Sequence, residues 1–226
     1  MAALSLLTGC GGISADSTVR HPAPEHRPPS GTGPPRLPGV GDRLHSKIPS
    51  ATRQVVAVYG EDEDSAKSTV VLYQRRGNTW SRDRHWPAHN GRCGWTENHR
   101  EGDHRSPIGV FTLSDAGGTL PAPGTKMPYT HSAAFDPPDS WPRSYQNGFD
   151  HVIAIDYNRL RGTPPNDPAR PQGRAKGGNI WLHVGHGSGS AGCVGVPRSA
   201  MEHLLRVLDP ARHPVIVMGD RENLAS

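Results

Sequence analysis

Residues 179–197 read NIWLHVGHGSGSAGCVGVP, an apolar run that ends at His183 and a loop of small residues that ends at Cys193. A thiolate is a strong nucleophile and a nearby base generates it, so a cysteine beside a histidine can carry out covalent acyl chemistry. The loop is nearly all Gly, Ser and Ala, which leaves room for a substrate backbone and exposes peptide N–H groups. This stretch therefore predicts a strand carrying a base and a loop carrying a nucleophile.

The glycines around the cysteine favour a nucleophile over a buried structural thiol. A lone cysteine is most often a small core residue, but Gly192 and Gly195 flank Cys193, and a core strand does not normally place glycines there. His183 is the predicted general base, which takes the thiol proton and later donates one to a leaving amine. His186, three residues further on, competes for this role.

The pattern of His183 followed by the segment Ser190-Ala-Gly-Cys193, with PIGVFTL at 107–113, resembles the L,D-transpeptidase (YkuD-type) catalytic domain of bacterial cell-wall enzymes. The resemblance extends over residues 52–219 and indicates a divergent branch of that family. Ala191 stands where the usual pattern has a histidine, and Gly195 stands where Arg or Asn is usual. The resemblance implies a mainly β fold, a two-sheet sandwich with one amphipathic helix after the catalytic loop.

The resemblance also implies roles for residues around the nucleophile. The base in this family lies at the end of the strand before the loop, which favours His183 over His186, and a backbone carbonyl at Val184 orients it. The backbone N–H groups of Gly192 and Cys193 are the expected oxyanion donors. Ser190 is expected to order the loop through local hydrogen bonds.

The function implied is that of a cysteine acyltransferase acting on peptidoglycan stem peptides. Cys193 would attack an L,D-amide carbonyl, release the terminal D-residue and pass the acyl group to an acceptor. The acceptor stays open: a second stem gives a cross-link, water gives a carboxypeptidase, and a protein side chain gives protein anchoring. A zinc site at His183, His186 and Cys193 and an inactive wall-binding module are the rival classes. His-x-x-His without a CxxC partner or a nearby acid is weak spacing, so we expect no metal and no cofactor.

Composition supports one loop-rich β domain with an unstructured segment. The 226 residues include 27 Gly and 23 Pro, and only 33% are apolar, which is unlike a helical bundle. The formal net charge is +4, and the basic residues are scattered, so nucleic acid is not an expected partner. No segment is long enough to span a bilayer, and we expect a monomer.

The chain divides into three predicted parts. Residues 1–10 end in Leu7-Thr-Gly-Cys10, which resembles a lipobox and indicates a truncated lipoprotein signal with Cys10 as a lipidation site, unless the match is chance. Residues 11–50 are rich in Pro and Gly and predict a disordered linker. Residues 51–220 form the predicted catalytic domain. We therefore expect an extracytoplasmic protein of the cell envelope, anchored to the membrane if Cys10 is lipidated, with Cys93 structural and reduced.

Apolar runs and turn residues predict the elements of the domain. Strands are expected at 54–59, 68–74, 79–81, 110–113, 151–157, 179–183 and 214–218. A capping box from Ser199 to Glu202 predicts the start of one amphipathic helix. Two long loops, 114–148 and 159–177, separate these elements, and loops of the first one's length usually form a lid or a wall of a site.

Overall fold

Short strands joined by long connections make up most of the protein. The computed structural model describes residues 35–226. The strands in this range are β1 (Gln54–Gly60), β2 (Lys67–Arg76), β3 (Thr79–His89), β4 (Trp95–Thr96), β5 (Ser106–Pro107), β6 (Gly109–Thr112), β7 (Ala116–Gly118), β8 (Tyr129–His131), β9 (Val152–Ala154), β10 (Trp181–Val184), β11 (Val194–Val196) and β12 (Val215–Asp220). The α-helices are α1 (Asp42–His45), α2 (Arg198–Val207) and α3 (Arg221–Ala225).

Ten of these strands form a single hydrogen-bonded sheet in the order β6-β12-β1-β2-β3-β11-β10-β9-β7-β8, and β4 pairs with β5 in a separate two-stranded sheet. The mainly β fold predicted from the sequence is confirmed. The two-sheet sandwich is not confirmed, because β3 joins the two halves into one large curled sheet.

The curl of the sheet lets strands from both halves share one core. Val56 of β1 and Leu182 of β10 belong to the same buried cluster, together with Leu204 of α2. The helix therefore packs against β10, the strand that carries His183, and burial of the helix leucines helps to fix that strand. Arg198 at the start of α2 also pairs with the Asp150 carboxylate just before β9.

A segment predicted as linker packs against the other face of the sheet. Leu37, Val40 and Leu44 are 1%, 5% and 0% exposed and cluster with Val55 and Ala57 of β1. The disordered linker therefore does not extend to residue 50, and the folded domain begins by residue 35 rather than at 51. The segment is rich in Pro and Gly, but burial of its apolar side chains against the sheet orders it. Residues 1–34, including the predicted signal and Cys10, lie outside the described residues.

Two local predictions need correction. The helix begins at Arg198 with Pro197 as its N-cap, and no side chain caps it, so Ser199 lies inside the helix and the capping box does not form. Strand β3 continues to His89, well beyond the predicted end at Ser81. Its polar, exposed side chains carry no apolar alternation, and pairing with β2 supplies the strand instead. No helix in the range 35–226 is both long and apolar enough to cross a membrane.

Candidate active site

Parallel pairing of β10 and β11 brings the predicted base and nucleophile to the same cleft. His183 pairs with Gly195 and Leu182 with Val194, so Cys193, immediately before β11, lies beside Trp181. The backbone N–H of Trp181 donates to the Cys193 Sγ at 3.4 Å. His183, His186 and Cys193 all line one cleft of about 810 Å³.

The environment of His183 keeps its imidazole neutral. The side chain is 3% exposed, and its Nδ1 lies 2.9 Å from the Val184 carbonyl oxygen. A carbonyl only accepts, so Nδ1 carries the proton and Nε2 has a free lone pair. Burial lowers the pKa of His183 to about 4, although the Val184 carbonyl opposes this shift. The imidazole can therefore accept a proton at neutral pH, through Nε2.

The thiol is also neutral in the resting site. Burial raises the pKa of the Cys193 thiol to about 11, and the hydrogen bond from the Trp181 N–H opposes this only in part. The Cys193 Sγ donates to the Asn179 carbonyl oxygen at 3.3 Å rather than to a histidine. The pair is thus a protonated thiol and a neutral imidazole, and the thiol must rotate away from Asn179 before His183 can take its proton.

Hydrogen bonds fix the loop in front of Cys193. The Ser190 Oγ donates to the Cys193 carbonyl oxygen at 2.6 Å and accepts from the Gly192 N–H at 3.0 Å, which is the local bonding predicted for Ser190. The Gly192 N–H is therefore already engaged, which argues against its predicted role as an oxyanion donor. Of the two predicted donors, Cys193 remains.

Sequence reasoning missed Ser106, which lies beneath the same loop. Ser106 is fully buried; its Oγ donates to the Gly192 carbonyl oxygen at 2.7 Å and accepts from the Gly91 N–H at 2.8 Å. The Ser190 N–H also donates to the Asn90 carbonyl oxygen at 2.9 Å. The PIGVFTL motif at 107–113 begins next to Ser106, so this motif marked the region without indicating the contact.

His186 shares the cleft but is held differently from His183. The ring centroids of the two histidines are 6.1 Å apart. His186 stacks on Tyr145 at 3.7 Å, and its Nδ1 lies 2.9 Å from the Ser188 Oγ. Burial, and then the charge of His89, lowers its pKa. His186 is therefore tied to the loop and to an aromatic neighbour, whereas a strand and a backbone carbonyl hold His183.

An aromatic wall forms one side of the cleft. Trp141, Tyr145 and Phe149 all line it, and the Phe149 ring lies 5.6 Å from His183 and 5.3 Å from Trp181 between centroids. Trp141 is 42% exposed. The end of the long 114–148 loop thus provides a wall of the site, one of the two roles predicted for it.

Close packing surrounds the glycine at 195. A Cβ on Gly195 would lie 3.0 Å from the Cα of Gly185 and 3.6 Å from the His183 ring. The first distance is shorter than usual and the second is an ordinary van der Waals contact. Gly195, which stands where Arg or Asn is usual, thus lies at a close approach to Gly185.

Neither a structural role for Cys93 nor a zinc site is supported by the described residues. Cys93 has a free thiol and is exposed, so it does not fill the core as a structural cysteine would. Within residues 35–226, no group of three or more His, Cys, Asp or Glu side chains is arranged to hold a metal ion.

Comparison with known proteins identifies the family. The L,D-transpeptidase catalytic domain model (YkuD) matches residues 63–217, and this chain belongs to that family. A solved structure of Bd1075 from Bdellovibrio bacteriovorus is similar at 20% sequence identity and a TM-score of 0.41; the match covers 74% of this chain and 47% of that one. The chain thus matches about half of the length of Bd1075. No curated protein matches the chain.

Proposed function

We propose that this chain is a cysteine-dependent peptidoglycan L,D-transpeptidase that forms an acyl-enzyme with a stem peptide and passes it to an amine. The observation that carries the proposal is the presence of Cys193 and a neutral, backbone-oriented His183 in one cleft of a YkuD domain. The family accounts for the substrate class, and the two side chains supply the chemistry.

The first half-reaction uses groups that line the cleft. The thiol proton passes to His183 Nε2, the Cys193 Sγ bonds to the carbonyl carbon of the L,D-amide, and the Cys193 N–H stabilises the oxyanion. The C–N bond then breaks, and His183 gives its proton to the departing amine of the terminal D-residue. The product is a thioester on Cys193.

The second half-reaction depends on the acceptor. An amine of a second stem attacks the thioester, its proton passes to His183, and the thiol is regenerated with a new amide. Water in place of the amine gives an L,D-carboxypeptidase, and a protein amine gives an anchored protein. We place the reaction in the cell envelope, with Cys10 as the lipid attachment point.

Mass spectrometry of soluble muropeptides incubated with the protein tests the proposal. We expect loss of the terminal D-residue, a cross-linked or hydrolysed product, and a trapped acyl adduct on the peptide containing Cys193. The Cys193→Ala variant, with a matched circular dichroism spectrum, should give none of these, whereas Cys93→Ser should behave as the parent protein does. Turnover retained in Cys193→Ala, or an adduct mapped only to Cys93, would overturn the proposal.

A further inference from the structure

The lining of the cleft holds more arginines than carboxylates. Arg92 and Arg170 line it, with Glu101 as its only acidic residue within the described range. Arginines that form ion pairs in residues 35–226 are Arg36, Arg43, Arg105, Arg159, Arg198 and Arg206. Arg92 instead contacts the His104 Nε2 at 2.6 Å. Two arginines without a carboxylate partner favour an anionic group in the ligand.

Arg170 is held in place more firmly than an ordinary surface arginine. Its Nη1 donates to the carbonyl oxygens of Asp167 and Ala169 at 2.8 and 2.7 Å. The guanidinium lies against Gly178 so closely that a Cβ there would be 2.1 Å from its Nε and 2.7 Å from its Cζ. These contacts are with backbone only, so the charge remains and further N–H groups of the guanidinium stay available.

The position of Arg170 relates it to the nucleophile. Gly178, against which the guanidinium packs, immediately precedes Asn179, whose carbonyl oxygen accepts the hydrogen bond from the Cys193 thiol. The cation therefore lies on the side of the cleft where the thiol now points. Arg92 contacts a different part of the catalytic loop, because its backbone N–H donates to the Ser190 carbonyl oxygen.

We propose that Arg170 binds the terminal α-carboxylate of the residue that leaves, and so selects donor peptides with a free C-terminus. This inference rests on the proposed function. When the last amide of a peptide is attacked, the α-carboxylate carbon lies within about 4 Å of the attacked carbon, three bonds away. The Arg170 guanidinium packs on Gly178, the neighbour of the residue that accepts the thiol hydrogen bond, and its planar fork suits a carboxylate.

Equilibrium binding to the Cys193→Ala protein tests the assignment without turnover. The probes are two stem peptides of one sequence, one with a free C-terminal carboxylate and one with a C-terminal amide. We expect the acid to bind at least about tenfold more tightly, as loss of one charge-assisted hydrogen bond implies. Adding Arg170→Gln should abolish this preference and leave amide binding unchanged. Arg161→Gln is the matched control, since Arg161 is exposed on the same loop and outside the cleft lining.

A second variant tests the position of the Arg170 guanidinium separately from its charge. Gly178→Ala keeps the charge of Arg170 but displaces its guanidinium, so it should narrow the preference for the acid as well. Equal binding of acid and amide by the parent, a preference unchanged in both variants, or dependence on Arg92 instead would overturn the assignment. A third peptide has a free C-terminus and an amide only at a side-chain carboxylate. Weak binding of this peptide alone would also overturn the assignment.

The two proposals fail in distinguishable ways. A preference for the acid that depends on Arg170, without any acyl adduct on Cys193, supports the carboxylate site and contradicts the transpeptidase mechanism. Turnover with equal use of acid and amide donors supports the mechanism and contradicts the carboxylate site.

Discussion

The Nδ1 of His183 lies 2.9 Å from the carbonyl oxygen of Val184, the next residue in the chain. This contact fixes the tautomer of a histidine that is almost fully buried at the end of β10. A buried imidazole without a carboxylate partner is costly to protonate, and the lowered pKa of His183 follows from that. The stability of the domain should therefore depend on pH through this residue.

Acidification should destabilise the protein through His183. The pKa of His183 falls from 6.5 to about 4 on folding. Between these pH values the imidazole is protonated in the unfolded chain and neutral in the folded one. The free energy of unfolding should decrease as pH falls through this window, by up to about 3 kcal/mol from this group. Urea unfolding at pH 7 and pH 4.5 measures it. His183→Gln, which cannot titrate, should show a shallower dependence; an identical slope would contradict the buried neutral imidazole.

Alkylation should report the protonated resting state of Cys193. Because burial raises the pKa of the thiol to about 11, its reaction with iodoacetamide should be slow at pH 7 and rise about tenfold per pH unit towards pH 10, as the thiolate fraction does. A chain carrying Cys10→Ser and Cys93→Ser restricts the measurement to Cys193. A rate that reaches its plateau by pH 8 would indicate a thiolate–imidazolium pair instead.

The two histidines of the cleft should differ in their effect on rate. His183→Ala should lower kcat/KM on soluble muropeptides by about a hundredfold or more, the usual size of general base catalysis. His186→Ala should cost clearly less, because His186 stacks on Tyr145 and bonds Ser188 within the loop. The reverse order would mean that His186 is the base and His183 a structural residue.

Local sequence patterns predicted the strands of the core, whereas the residues that support the catalytic loop come from distant parts of the chain. The apolar runs at 54–59 and 214–218 identified β1 and β12, because both faces of these strands are buried. Ser106 and Tyr145 lie 87 and 48 residues before Cys193 in the numbering, and nothing local marks either as a neighbour of the catalytic loop. The oxyanion role of Gly192 was predicted from its position beside Cys193, and the hydrogen bond to Ser190 that opposes it depends on loop geometry.

Ser106→Ala should impair catalysis although Ser106 acts only by anchoring the catalytic loop. The substitution removes both hydrogen bonds of a buried hydroxyl, to the Gly192 carbonyl and from the Gly91 N–H, which should cost about 1–3 kcal/mol of stability. Greater mobility of Gly192, the residue before Cys193, should lower kcat by about tenfold or more, because small misplacements of reacting groups slow the reaction strongly. Ser132→Ala, which removes a side-chain cap of a short 3₁₀ turn, is the control. An unchanged kcat in a folded Ser106→Ala protein would show that the loop does not need this anchor.

Removal of the segment before Pro49 should destabilise the domain. A chain that begins at residue 49 loses Leu37, Val40 and Leu44 from the cluster on the outer face of β1, and each buried aliphatic side chain contributes about 1.5–3 kcal/mol. Its melting temperature should therefore fall strongly, whereas a chain that begins at Pro35 keeps all three side chains and should melt at a clearly higher temperature. Within the full chain, Leu44→Ala should cost about 2–5 kcal/mol, and Arg36→Ala, at an exposed position, should change little. Equal melting temperatures for the chains beginning at 35 and 49 would show that this segment is dispensable and that the domain begins after it.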